Sequence, residues 1–303
     1  MGCTFVQNPL MNIIFQINGG IGKCILATPV CEAIKVQHPD SQLIVMSGYP
    51  EVFLNNPFVD RSFAFGQAQY FYQDFIENKE FKVLAHDPYI QTEYLLQNEH
   101  LVHTWTKMFD IQPPQDTSPK LYITEREHTF FAQKFASDRP ILLLQTNGGA
   151  QGQELRYSWA RDIPSYIAQA VIEEFRNEYN IVHMRREDQI GYEGTTPVSD
   201  NFRALAILIE LSSKRLLMDS FGHHAAAALN KPSTVLWIAN TPVVFGHDMH
   251  DNIIANPFTK KPELRHAYFQ KFDITGNLLE FPYNSESEMF DVDKVIASIK
   301  NQK

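Results

Sequence analysis

Apolar positions along this chain fall into short uninterrupted runs, separated by stretches of helical periodicity. Parallel strands buried on both faces and covered by helices produce that alternation. Asn12 to Ile17 reads as the first strand, Gly19-Gly20-Ile21-Gly22 as a tight turn, Lys23 to Gln37 as a helix and Leu43 to Ser47 as the next strand. Phe81 to Ala85 reads as another buried strand, delivering His86, Asp87 and Tyr89 to its carboxyl end, the side on which open α/β sheets bind ligands. Pro113-Pro-Gln-Asp-Thr-Ser-Pro119 is dense in turn residues and marks a boundary. The alternation then restarts. Pro140 to Gln145 reads as a strand, Asn147-Gly148-Gly149-Ala150-Gln151-Gly152 as a glycine-rich loop, Ile163 to Tyr179 as an amphipathic helix and Asn180 to Met184 as a strand. Phe202 to Ser212 is expected to be helical, Leu216 to Met218 and Thr234 to Ile238 to be strands, and Val292 to Ile299 to be a closing helix. The expected fold is α/β, in two similar halves spanning residues 1–119 and 120–285, with residues 286–303 as a closing helical stretch.

The segment from Asp219 to Pro232 carries the most chemical information. The apolar run ends at Asp219, Gly222 permits a tight turn, and the helix formers Ala225 to Leu229 follow at once. Free N–H groups of such a helix start suit an anion, and His224, in the first helical turn, could add a hydrogen bond to a phosphate oxygen. An ordinary strand–turn–helix connection explains the same residues.

Length and composition narrow the classes. A chain of 303 residues with 44% hydrophobic and 20% charged residues can bury two ordinary cores, and its net charge of −9 argues against a surface that grips nucleic acid. Three cysteines (Cys3, Cys24, Cys31) lack metal-site spacing and suit a reducing compartment, with Cys24 and Cys31 as core packing. No apolar run approaches membrane-spanning length, and Val6 breaks the acylation pattern that Met1-Gly2-Cys3 opens, so the expected location is cytoplasmic with at most peripheral membrane contact. The eleven histidines are scattered in sequence and are read as solvated or structural, not as metal ligands. Most aromatics, including Tyr49, Trp105 and the Tyr70 to Phe75 cluster, are read as core, with Phe71 or Tyr72 as an acceptor-side exception.

Three stretches together resemble the family nine glycosyltransferases, the heptosyltransferase-like enzymes of GT-B fold. The first is Gly22-Lys-Cys-Ile-Leu-Ala-Thr-Pro29, continuing through Asn56-Pro57-Phe58-Val59-Asp60. The second is Ile141 to Gly149 with Trp159 downstream. The third places Asp219, His224, Ala227, Leu229 and Pro232 in the register of the family's Asp-(Ser/Thr)-Gly-x-x-His helix start.

The resemblance implies two Rossmann-like domains facing across a cleft, with residues 286–303 packing back on the first, and transfer of a heptose or hexose from a nucleoside diphosphate sugar, ADP-linked or otherwise, to a hydroxyl of a glycan or lipopolysaccharide-type glycolipid. The reaction would be inverting and metal-independent, and the nucleotide sugar would be a co-substrate, with no further cofactor. The second domain would hold the donor through Asn147, Gly148, Arg156, Glu187, Asp219, Ser220, Gly222, His223 and His224, with Arg185 and Arg186 either assisting or forming a solvated cluster. Gly20, Gly22 and His86 would line the acceptor side. Where the family turn has an aspartate after glycine this chain has Lys23, so the residues read as catalytic are Lys23, as an anion contact, and Asp87, as a substitute base or else a structural cap. Gly222 and Arg156 also sit one position off the family's glycine and lysine. A nucleotide- or glycan-binding protein that has lost catalysis, a nucleotide-sugar epimerase, and a transferase acting on modified nucleic acid remain alternatives.

Overall fold

The computed structural model describes residues 11–148, 159–262 and 281–302. The first half contains β1 (Asn12–Ile17), α1 (Ile21–Leu26), α2 (Thr28–Gln37), β2 (Gln42–Ser47), β3 (Arg61–Ala64), α3 (Phe71–Phe75), β4 (Phe81–Leu84), α4 (Thr92–Leu95) and α5 (Leu101–Met108). Its strands form one parallel sheet in the order β3-β2-β1-β4. After α6 (Glu125–Lys134) come β5 (Ile141–Leu144), α7 (Ser165–Phe175), β6 (Asn180–Met184), β7 (Thr196–Val198), α8 (Phe202–Leu211) and β8 (Lys214–Met218). The second half closes with α9 (Phe221–Ala228), β9 (Thr234–Trp237), α10 (Pro242–Phe245), β10 (Asp251–Ile254) and α11 (Val292–Asn301). Its six strands are also all parallel, in the order β10-β9-β8-β5-β6-β7.

Burial follows strand position. Every residue of β5 and β9 is buried, as sheets covered on both faces require. β4 lies at the sheet edge, which leaves Phe81 and Val83 half-exposed; its apolar residues had predicted a buried strand. The helix expected from Lys23 to Gln37 is divided at Ala27. Pro29 has no N–H to continue the ladder, and the Thr28 hydroxyl donates to the Ile25 carbonyl oxygen at 2.7 Å instead. Cys24 and Cys31 are fully buried thiols, and burial pushes the first up to about 12.

Among the described residues the closing helix packs on the second half. The buried face of α11 (Val295, Ser298, Ile299) rests on α7, β8 and β9, with the Ser298 and Thr234 hydroxyls 2.7 Å apart. The two halves meet chiefly where α1 crosses α9, and their apolar interiors are continuous, Phe15 and Trp105 on one side running into Leu217, Trp237 and Phe245 on the other. No helix among the described residues is long and apolar enough to cross a membrane.

Candidate active-site cleft

Each sheet reverses its direction of strand addition once, between β1 and β4 in the first half and between β5 and β8 in the second. Loops leaving neighbouring strands toward opposite faces open a crevice beyond their carboxyl ends at such points. Here the two crevices face one another and merge into a cleft of about 630 Å3. Gly20, Lys23 and Tyr89 line it from the first half; Asn147, Arg161 and Asp219 line it from the second.

The first wall is internally paired. Lys23 Nζ donates to Asp87 Oδ1 at 2.7 Å and lies 4.1 Å from the centroid of the Tyr89 ring. Burial lowers the Lys23 pKa, and the Asp87 carboxylate opposes that shift through its hydrogen bond and its charge. Asp87 also caps the turn Pro88–Ile90 by accepting the Tyr89 N–H at 2.9 Å, so the cap reading holds alongside the ion pair. Tyr89 stacks on Tyr94 at 4.6 Å, and burial raises both phenols, Tyr94 to about 12. Lys23 faces the cleft, whereas Asp87 and His86 lie outside its lining and His86 is exposed. Tyr49 lines the cleft too. Phe71 instead packs with Phe63 and Phe75 on the other side of the first sheet, and Tyr72 projects outward.

The second wall is a scaffold of fixed loops carrying cations. Asp162, buried, accepts from Asn147 Nδ2 at 3.1 Å and from the Gly148 N–H at 3.0 Å, and Gln189 Nε2 donates to the Gly148 carbonyl oxygen at 3.1 Å. The loop after β5 is thereby held against the loop after β6. Gln145 Nε2 donates to Ser220 Oγ at 3.2 Å, tying β5 to the start of α9, and Asn240 Nδ2 donates to Asp219 Oδ2. Arg161, Arg185 and Arg186 bring guanidinium groups to the same wall. Arg185 donates to the Arg186 carbonyl oxygen at 3.0 Å and Arg186 pairs with Asp188, while Arg161 has neither a hydrogen bond nor an ion pair among the described residues.

Several expected roles change place. Arg156 lies outside the described residues, and Arg161, in the same stretch of chain, lines the cleft. Glu187 is exposed and does not line the cleft; Gln189 and Asp200 do. Gly222 does not make a tight turn, because α9 already begins at Phe221. A Cβ on Gly222 would come within 2.2 Å of Gln145 Oε1, so any larger residue there must displace the Gln145 amide. Gly22 plays the corresponding part in α1, where a Cβ would lie 3.1 Å from His224 Cδ2. Asp219, Ser220 and His224 line the cleft, but His223 points away from it, fully buried against Trp237.

The histidines are not scattered in space. His223 and His224 of α9 meet His247 and His250 from the loop after α10, and His100, preceding α5, approaches His247 at 6.2 Å between ring centroids. His224 Nδ1 and His247 Nε2 are 2.9 Å apart. Burial lowers the pKa of every one of these imidazoles, His100 and His250 to about 4; neighbouring histidines push His100, His223, His224 and His247 in the same direction, whereas His250's bond to the His223 carbonyl oxygen opposes its shift. Sequence spacing could not show this cluster, since α9, the loop after α10 and the distant His100 meet only once the chain has folded.

Two Rossmann-like halves facing across a cleft are the architecture of the GT-B glycosyltransferases, and this chain has that fold. No family model and no curated protein matches the chain. Among solved structures it is similar to a family nine glycosyltransferase from Veillonella parvula DSM 2008, with TM-score 0.62, 13% identity, 95% of this chain and 96% of that one covered. It is also similar to E. coli ADP-heptose lipopolysaccharide heptosyltransferase II, with TM-score 0.59 and 14% identity over 80% of this chain and 90% of that one. E. coli heptosyltransferase WaaC, solved with ADP, superposes with TM-score 0.54 and 10% identity, covering 81% of this chain and 94% of that one.

Proposed function

We propose that this chain is a glycosyltransferase that takes a sugar from a nucleoside diphosphate donor held on the second half and passes it to a hydroxyl presented by the first. The observation that carries the reading is the meeting of the two switch-point crevices, with the N-terminus of α9 and the Arg161 guanidinium on one wall and Lys23 on the other. Departure of the nucleoside diphosphate develops negative charge on its terminal phosphate. Fixed N–H groups and cations lower that barrier because they are oriented before the bond breaks. Phe221 would present a backbone N–H group, Arg161 would balance the leaving charge, and Asn147 and Gly148, set by Asp162, would hold the donor's polar edge. Lys23 would orient an anionic or hydroxylated acceptor against the stacked tyrosines, with Asp87 holding its ammonium in place. These protein cations suffice for a reaction without a divalent ion at the phosphates.

Support for an ADP-linked heptose donor comes from the neighbours, since WaaC has been solved with ADP and with ADP-2-deoxy-2-fluoro heptose. A lipopolysaccharide-type acceptor and inversion at the anomeric carbon complete the proposal, together with work at the cytoplasmic face of a membrane.

A thermal-shift screen with ADP, UDP, GDP and CDP, followed by turnover of the matching nucleotide sugars, tests it. Stabilisation by one nucleotide, with release of that nucleotide from its sugar, is the expected result; no stabilisation by any of them refutes the donor site. The binding-only reading has its own observation, the Lys23–Asp87 pair, which commits one oxygen of the substitute base to a cation. Nucleotide stabilisation without turnover on any donor would favour it.

A further inference from the structure

We propose that His223, His224 and His247 form a binding site for a divalent transition-metal ion of the zinc class, which clamps α9 to the loop following α10 behind the wall of the cleft. One nitrogen from each of the three imidazoles lies within 4.8 Å of the other two, and all three residues are buried. His223 is fully buried, yet neither of its ring nitrogens has a hydrogen-bond partner among the described residues. An imidazole taken out of water with both nitrogens unanswered is costly, and native interiors rarely keep one. A metal ion answers it by accepting a ring lone pair.

The ligand chemistry narrows the occupant. Three neutral imidazoles with no carboxylate or thiolate among them suit zinc, cobalt, nickel or copper, and do not suit calcium or magnesium, which take oxygen ligands. Zinc–nitrogen bonds of about 2.0–2.1 Å in a tetrahedral site set the ligand nitrogens about 3.4 Å apart. The 2.9 Å contact between His224 Nδ1 and His247 Nε2 would open slightly and the widest gap of the triad would close, adjustments that ring rotation supplies.

The backbone around the triad is already fixed. Asn252 Nδ2 donates to the carbonyl oxygens of His247 at 3.1 Å and His250 at 3.2 Å, and Asn252 Oδ1 accepts from Trp237 Nε1 at 2.8 Å. His250 Nε2 donates to the His223 carbonyl oxygen at 2.9 Å, joining the loop to α9 a second time. Gly246 makes the bend before His247; a Cβ there would fall 2.5 Å from the Pro242 carbonyl oxygen. Ligands held by such supporting bonds lose little freedom when an ion binds. Because His224 also lines the cleft, the ion would fix the part of α9 that the donor site uses.

The test uses the whole chain purified without a polyhistidine tag. Metal analysis should find close to one zinc-class ion per chain. After chelation, Zn2+ should raise the melting temperature by about 5 °C or more, and Co2+ should give the visible absorption of a four-coordinate site with three imidazole ligands. His223→Gln and His247→Gln should abolish the shift and the absorption, while His128→Gln, altered at an exposed position away from the cluster, should keep both. Should a cluster variant fail to fold, the chelated and Co2+-loaded wild-type protein still decides. An ion-free protein whose melting temperature and spectrum ignore Zn2+ and Co2+ would overturn the proposal, as would cluster variants that respond like wild type.

Discussion

On the first-half wall of the cleft, Lys23 is answered at 2.7 Å by Asp87 and covered by Tyr89, which itself stacks on Tyr94. On the second-half wall, Arg161 faces the same space with no ion pair among the described residues, beside loops pinned by Asp162 and Gln145. A cation that already has its counter-ion adds little to the binding of an anion, because the ligand must compete with the resident carboxylate. A guanidinium with no partner offers its full charge and its planar set of donors. On the proposed function, that difference would put capture of the diphosphate on the second wall and orientation of the acceptor on the first.

The largest effect should therefore follow Arg161→Ala, with turnover falling about a hundredfold and the nucleotide-induced thermal shift shrinking in parallel, as loss of a preorganised donor to a leaving group does. Steady-state kinetics on the nucleotide sugar found by screening, beside thermal shift, reads both. The comparison breaks if Arg161→Ala spares turnover while Lys23→Met abolishes nucleotide binding.

Lys23→Met should cost turnover about tenfold and leave nucleotide stabilisation nearly intact. Its pH profile sharpens the test. Burial lowers the Lys23 pKa below the ordinary lysine value of 10.5, so the ammonium is lost at a lower pH than an exposed lysine would lose it. Turnover should fall on an alkaline limb below that value, and the limb should vanish in Lys23→Met. A limb that survives the substitution assigns the titration to another group.

Much of this division was open to a reading of the chain, because buried strands announce themselves. Asn12 to Ile17 and Asn180 to Met184 are strands over those same residues, and the loops they feed do line the cleft. Strands outside the cores escaped: β3, β7 and β10 are three or four residues long, carry exposed polar positions and sit at or near sheet edges, so nothing in their composition separates them from loops. The site was legible where one segment carries it, as at Asp219 and Ser220. It was not legible where chain-distant residues meet: the Lys23–Asp87 pair spans 64 positions and the Asn147–Asp162 bond depends on how a loop folds back. Glycines were legible as constraints but not as to cause, since crowding and turn geometry leave the same residue in the sequence.

Those glycines allow a structural form of the comparison, one from each wall at the α1–α9 crossing. Gly22→Val should cost about 2 kcal/mol, because the added carbons meet His224 and the backbone of Phe221, which cannot turn aside. Gly222→Ala should cost less, about 1 kcal/mol, since the obstructing Gln145 amide can rotate and alanine is the better helix former. Denaturant midpoints measure both, and a larger loss for Gly222→Ala would mean that Gln145 is the more rigid neighbour.

The smallest effect concerns the tie that carries the second wall to the first half. Glu127, which caps α6 together with Thr124, accepts from Arg203 of α8 at 2.9 Å, and the Asn55 amide reaches the Tyr122 carbonyl oxygen at 3.3 Å just before that helix. Burial acts to raise the Glu127 pKa, but the Arg203 guanidinium and the Thr124 N–H and hydroxyl outweigh it and hold the carboxyl down to about 2. A folded-state value below the unfolded one means the unfolded chain binds the proton first. The stabilisation is thus complete above the unfolded glutamate's 4.5 and is lost as pH falls through about 2. Because the pair is partly solvated, its worth is on the order of 1 kcal/mol. Glu127→Gln should lower stability by that amount at pH 7 and make no difference near pH 2, so the two denaturation curves converge on acidification. Curves that stay parallel would show that Arg203 draws its hold from the Tyr122 carbonyl oxygen, 2.7 Å away, and not from the charge.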